Sequence, residues 1–439
     1  MKKKSGIVGL AVAAALAAAG FSGSAFATDG YQLIGIGQYA MGMAGAVVAA
    51  PDDPLSAAMS NPAGLALMTP QAAYSAEIFN PTRKTNFGFG ETGSHSNVYG
   101  VPAIGWVAPA FGDGIVFGGG VYGTSGLGVN YLQAGVTPMM PNPNGGYLKY
   151  PGSTIQAYSS ITFMEMAPSL AMKVNSHLAV GASLNIAAEQ GSFQQTFTTA
   201  GSRSTGPGQT YGLNLASPSW AYGVGVTLGA LYKVNDMVTV GATYKSPVMF
   251  TPMTWQESQE MGPKGQQGGF GQYSGHLNYP QQIALGLAIR PTPQWLISVE
   301  GQWINWHATM NNFNIYGPWQ GQSSVALPMH WSNQWVANIG TQYDLTNWLQ
   351  VRGGYTWGSN PISNANTANN LLFPGIVQNA ITFGATQKLG MGWKLTEAYM
   401  HEFSNTNTGP AGSSPFGGPM PASATMYENS YGLQVGYDF

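Results

Sequence analysis

Lys245, Arg290, Glu300 and Arg352 stand on the polar or small-residue side of segments that alternate in polarity. A cation in such a place could hold a carboxylate through a charge-assisted hydrogen bond worth about 1.5–3 kcal/mol, and Lys245 and Arg352 are the candidates for that contact. The alternative pairs these charges with one another or with a neighbouring segment. Cations are so scarce that a neutral cargo is favoured slightly over a carboxylate. Other chemistry finds little footing. The six histidines (His95, His177, His276, His307, His330 and His401) lack metal-ligand spacing. The absence of cysteine removes thiolate sites and disulfides. No Gly-x-Ser-x-Gly elbow occurs, so no metal, cofactor or catalytic residue is expected and the chain does not read as an enzyme. Gly35-Ile-Gly37-Gln-Tyr-Ala40, with Asp53 downstream, meets the loose dinucleotide fingerprint, but no strand precedes it.

The elements that must position these residues are strands. In Tyr431-Gly-Leu-Gln-Val-Gly-Tyr-Asp-Phe439, Tyr431, Leu433, Val435, Tyr437 and Phe439 share one face, and Gly432, Gln434, Gly436 and Asp438 the other. A transmembrane β-barrel needs that pattern, because its outer face meets lipid and its lumen is polar. At the other end, Lys2, Lys3 and Lys4, an apolar run from Gly6 to Gly20 and the small-x-small site Ala25-Phe26-Ala27 read as a secretory signal peptide over 1–27. Only 7% of residues are charged, against 61 Gly, 28 Pro and 12% aromatic, where a soluble protein carries about 25% charge. Without the three signal lysines, twelve of the fifteen basic residues face seventeen acidic ones, a net charge of −5 with no basic stripe for nucleic acid.

Short turns are expected near Gly112-Asp113, Asn175-Ser176, Asn235-Asp236, Pro291-Thr292-Pro293, Asp344 to Thr346 and Leu389-Gly390. With a first strand near Ala72 to Pro81 and the terminal strand, they give an all-β antiparallel barrel of about 14 strands over 71–439, both ends periplasmic. Trp331, Trp335, Ala337, Ile339 and Tyr343 are expected on one outer face. Long loops are expected near 82–96, 123–160, 191–218, 251–277, 308–330, 358–376 and 404–427, and a bulge between Trp393 and Glu402, where neither face is clean.

Residues 28–70 lack alternation and suit a mostly helical or irregular plug in the lumen. Asp53 is a good N-cap with Pro54 behind it, so a short helix is expected from Pro54 to Ser60, stopping at Asn61-Pro62. Here Gly35-x-Gly37, Ala40-x-Gly42-Met43-x-Gly45-Ala46, Asp53 and Asn61-Pro62-Ala63-Gly64-Leu65 resemble the N-terminal signature of the FadL/TodX outer-membrane transporters. Weaker similarity continues through Gly241-Ala-Thr-Tyr-Lys-Ser-Pro247, Pro280 to Arg290 with Trp303-x-x-Trp306, and Val351-Arg-Gly-Gly-Tyr355. The resemblance implies a fourteen-stranded monomeric barrel in a Gram-negative outer membrane. It implies a hatch containing Asp53, Asn61, Pro62, Ala63 and Gly64, and passive diffusion of long-chain fatty acids or aromatic hydrocarbons. It also implies a gap at a kinked third strand, for which Gly118, Gly119 and Gly120 are placed to serve. Leu127, Leu132, Met139 and Met140, in the longest expected loop, are candidates for capturing an apolar molecule at about 25 cal/mol per Å² buried. The expected partners are hydrophobic small molecules, outer-membrane lipid including lipopolysaccharide, and the outer-membrane assembly machinery through the C-terminal strand. The competing readings are a general polar porin and a surface adhesin or receptor barrel.

Overall fold

The computed structural model describes residues 29–112, 114–142, 144–202, 208–260, 270–319 and 322–439; the expected signal peptide and Asp113 of the first expected turn lie outside the described residues. Wall strands with one face in lipid and one in the lumen run in chain order as β1 (Gln71–Asn86), β2 (Tyr99–Val107), β3 (Ile115–Val136), β4 (Ser153–Lys173), β5 (Leu178–Thr198), β6 (Thr210–Lys233), β7 (Val238–Lys245), β8 (Gln282–Thr292), β9 (Trp295–Ile304), β10 (Gln334–Asp344), β11 (Leu349–Gly358), β12 (Asn379–Gly390), β13 (Trp393–Thr408) and β14 (Ser423–Asp438). Each pairs antiparallel with its neighbours, and β14 closes on β1 from Gln71↔Asp438 to Asn86↔Ser423, making a closed barrel of fourteen strands. Alternation behaves as the terminal sequence requires. Tyr431 and Leu433 are more than half exposed on the outside, while Ser430 and Gln434 are buried inside.

The short turns fall where expected, except that the last sits at Met391-Gly392. The expected loops 123–160 and 191–218 are corrected: β3 reaches Val136, β4 starts at Ser153, β5 reaches Thr198 and β6 starts at Thr210. Beyond the bilayer the outer face is wet, so strands continue there without an apolar face to betray them. The bulge expected between Trp393 and Glu402 lies just past it, between Glu402 and Asn405. Trp331 is also corrected. β10 begins at Gln334, and the Trp331 ring is fully buried inside.

Inside the barrel, residues before β1 fold into α1 (Gln38–Gly42), α2 (Pro54–Met59) and a 3-10 turn over Pro62–Leu67. Asp53 caps α2 by accepting from the Ser56 amide at 2.8 Å, and its other oxygen accepts from Gln434 of β14 at 2.6 Å. Asn61 donates to Val48 O at 2.8 Å and to Ala230 O of β6 at 3.1 Å, while its oxygen caps Ala63 at 3.1 Å. The Val47 and Val48 amides both donate to Glu300 Oε2, at 3.1 and 3.0 Å. Wall glycines admit this backbone. A Cβ on Gly241 would lie 2.2 Å from Val48 O, on Gly340 2.4 Å from Met43 O, and on Gly181 2.5 Å from Ala63 N. The glycines on the lumen face are thus seats for the plug.

Glu300→Leu strands two buried amides, each costing about 1–3 kcal/mol. Hydrogen exchange at Val47 and Val48 should rise by tenfold or more while barrel melting barely moves, and Glu300→Gln should restore most protection. Unchanged exchange in Glu300→Leu would show that the plug is held elsewhere.

Candidate functional site

Between β2 and β3 the hydrogen-bond ladder is interrupted. Their pairing covers only Ala103↔Tyr122 to Val107↔Gly118, yet β3 stays paired with β4 up to Val136, with a register shift between Gly123 and Ser125. Tyr99 to Pro102 of β2 keep their pairing with β1. Farther along, the His95 amide donates to Asn130 O at 2.8 Å. The result is a window framed below by Ala103 and Tyr122 and above by His95 and Asn130. Glycines thin its β3 side: a Cβ on Gly123 would sit 3.0 Å from Val101 Cγ1, and one on Gly128 3.3 Å from the Tyr99 hydroxyl. Gly118, Gly119 and Gly120, expected at the gap, are instead bonded into the wall on both sides, opposite Val107, Trp106 and Gly105 and opposite Ser169, Pro168 and Ala167. The interruption begins past Tyr122, where the bulge turns β3 away from β2.

The vacated edge of β3 has another partner. Leu33 N donates to Thr124 O at 3.2 Å, Gly126 N donates to Tyr31 O at 3.3 Å, and Gln32 faces Ser125 in an antiparallel bridge. The segment preceding the plug adds to β3 as a short strand would. It is pinned by Gln282 Nε2 and the Tyr279 hydroxyl, which donate to Gln32 Oε1 at 2.5 and 3.1 Å.

The Tyr31 ring projects from this segment into a cage of aromatic side chains above the plug. It stacks on Phe163 with centroids 5.4 Å apart and planes at 9°, and packs against Trp306 at 4.4 Å, Trp331 at 5.9 Å and Tyr279 at 6.0 Å. The indole nitrogens of Trp306 and Trp331 donate to Gln334 at 2.9 Å and Asn370 at 2.7 Å, which fixes both rings. The cage is the floor of a larger buried apolar cluster that includes Phe193, Phe250, Trp255, Phe313 and Leu371 to Phe373. Such a cluster offers an apolar molecule burial and ring contacts alone wherever a place among the rings is vacated.

Of the residues expected to bind cargo, Leu127 is buried in this cluster and Met140 packs against it, but Leu127 and Leu132 lie on β3 rather than in a loop. Leu132 is half exposed, and Met139 sits on a short strand against Phe416 and Gly417. Lys245 faces small polar cavities under the cage with Asp29, Gln32, Gln282 and Glu300 on one side and Glu165 and Tyr279 on the other. Arg352 is not beside the cage. It donates to Gln342 at 2.8 Å, Thr386 at 2.7 Å and Gln350 at 3.1 Å, and its guanidinium lies 4.7 Å over the plug's Tyr39 ring. It supports the plug. The cage residues escaped sequence reasoning, although Phe163 carried a signal: its parity places it on the same inward face as Ser159 and Glu165.

The profile of one family, "Outer membrane protein transport protein (OMPP1/FadL/TodX)", matches residues 11–439. Among solved structures, a Pseudomonas aeruginosa FadL homologue superposes with a TM-score of 0.71 at 17% identity, covering 93% of this chain and 100% of the homologue. The Pseudomonas putida toluene transporter TodX gives 0.70 at 18% identity, covering 92% and 99%. The Ralstonia pickettii toluene transporter TbuX gives 0.67 at 18%, covering 92% and 99%. At such identities the likeness speaks for the fold alone. No curated protein sequence matches.

Asp29, whose Oδ1 is buried without a partner, is pushed up to about 7 by burial. A raised carboxyl stabilises the docked segment fully below its ordinary value of 3.8, and that contribution is lost as pH climbs through about 7. Amide exchange at Leu33 and Gly126 should therefore be slower, relative to intrinsic rates, at about pH 5 than at about pH 8. Asp29→Asn should flatten the difference. Equal pH dependence in both proteins would contradict the assignment.

Proposed function

We propose, for a chain that belongs to the OMPP1/FadL/TodX family of outer-membrane transport proteins, a passive channel for small neutral hydrocarbons, aromatic ones included, that releases its cargo sideways. Members of this family are channels for hydrophobic compounds rather than enzymes. Cargo partitions from the outer surface into the apolar cluster, reaches the cage, and leaves through the β2–β3 window into the membrane. The observation that carries this reading is Tyr31. A six-membered ring, attached to the segment that closes the window, already fills the stacked site on Phe163. A cargo ring that takes this place displaces the segment from β3, so loading the cage and opening the window are one event. The straight route downward is filled by a plug seated on wall glycines, and only the side remains.

Charge favours a neutral cargo. Glu189, opposite Phe163 on β5 and buried with both carboxyl oxygens unpartnered, borders the cage. None of the five cage rings carries a cation, so a carboxylate would lose its hydration there without a counter-charge, whereas a ring meets faces and edges. A second reading, a fatty acid with its headgroup at Lys245, draws on that residue's place in the polar cavities beneath the cage. The account puts the protein in a Gram-negative outer membrane as a monomer. Lipid, lipopolysaccharide included, surrounds the wall, and the exposed terminal Phe439 is offered to the assembly machinery.

Cells lacking their own hydrophobic channel should gain uptake of labelled toluene, and less of labelled oleate, when they make this protein. Because the chain has no cysteine, Gln32→Cys with Ser125→Cys can form a single disulfide across the antiparallel bridge. Oxidation should abolish the toluene gain and reductant should restore it. Full uptake by the oxidised protein would place the exit elsewhere, and a gain for oleate alone would favour the Lys245 reading.

A further inference from the structure

Beside the window, the outside of the barrel is hollow. Along one register row the outward side chains of β12, β13, β14, β1 and β2 are Ala385, Glu397, Leu433, Ala76 and Pro102. In the next row toward the loops, Gly100 of β2 lies opposite Ile78, which faces Tyr431. Alanine, proline and glycine stand where a lipid-facing wall ordinarily carries large apolar groups, as the row below does with Leu395, Val435, Tyr74 and Ile104. They leave a depression of about 890 Å³.

Two observations give this hollow a use. Gly100 and Pro102 belong to the part of β2 that has parted from β3, so the depression begins at the lower corner of the window. Glu397, exposed on the outer face, stands on β13 halfway from Trp393, which packs on Tyr437, to His401, which hydrogen-bonds Asn429. It makes none of the ion pairs among the described residues. A carboxyl within the apolar band is costly against acyl chains, whereas the electropositive edge of an aromatic ring can face it. A chain anchored by its headgroup must also bend to fill a lateral hollow at this depth, whereas a ring-sized molecule need not.

We propose that this hollow is an external receiving site for neutral hydrocarbon cargo, occupied after the molecule passes Val101 in the window and before it disperses in the bilayer. The proposal rests on the sideways-exit reading above and extends it to the outer surface. It makes release two-step: a short transfer between adjoining apolar surfaces, then escape into lipid.

The test uses the full mature chain in lipid vesicles with bromobenzene as both cargo and quencher. A fluorophore on Ala385→Cys reports the hollow, and one on Val226→Cys, outward on β6, reports plain lipid. Bromobenzene should quench the first several-fold more than the second. Ala76→Phe with Gly100→Phe should erase that excess and, in cells lacking their own hydrophobic channel, slow bromobenzene uptake several-fold, with Ala76→Leu as the milder variant if the double one folds poorly. Equal quenching at the two positions would mean that acyl chains fill the hollow, and would overturn the proposal, as would full-rate uptake with the hollow filled. Excess quenching without any uptake by the wild type would sink the transport reading and leave the site standing. Uptake without excess quenching would do the reverse.

Discussion

Between Tyr122 and Asn130 the third strand parts from its neighbour, and a membrane supplies no water to satisfy the amides and carbonyls left behind. The structure answers with Tyr31 to Leu33, whose backbone takes up Thr124 O and Gly126 N. Almost everything of functional interest hangs on that substitution. The wall can afford an interruption because the segment fills it. The segment lies in register because Gln32 is held by Gln282 and Tyr279, and its register puts the Tyr31 ring into the aromatic cage. The break in the ladder, the segment that fills it and the aromatic cage are thereby joined by one short stretch of backbone.

A plug so firmly seated favours the sideways exit proposed above. Its backbone presses on wall glycines so closely that a single methyl would collide, and its buried amides end on wall acceptors such as Glu300. Unsatisfied groups would be expensive in this closely packed lumen, so the plug is seated over a wide area rather than hinged at one contact. The segment before it is different. It rests on two backbone hydrogen bonds, one glutamine and one ring, and it carries Asp29, whose burial works against docking as pH rises. Of the two parts filling the lumen, the segment carrying Tyr31 is the more lightly held.

How much of this was legible beforehand follows from how local each signal is. Strand alternation is written in consecutive residues, so β14 could be read from Tyr431 to Phe439, as could the turns, the Asp53 cap and the helix stop at Asn61-Pro62. The upper reaches of β3 to β6 were not, because outside lipid the wall loses the apolar face that makes a strand visible. Trp331 followed the parity of β10 and was assigned to lipid, yet it lies before that strand begins and turns inward. The cage draws Tyr31, Phe163, Tyr279, Trp306 and Trp331 from five separate parts of the chain, and no spacing announces such a meeting. The run Gly118 to Gly120 was conspicuous as a triplet, whereas Gly123 and Gly128, where a Cβ would crowd Val101 and the Tyr99 hydroxyl, stand singly and do not announce themselves. Arg352 looked available for cargo only because its partners, Gln342, Gln350, Thr386 and Tyr39, cannot be assembled from sequence.

The most direct test of the central claim is a crystal structure of the protein soaked with 4-bromotoluene, with bromine located by its anomalous signal. The account predicts bromine in the cage between Phe163 and Trp306, with Tyr31 to Leu33 displaced from β3. Bromine strung through the plug toward the periplasmic turns, with Tyr31 still stacked on Phe163, would contradict it.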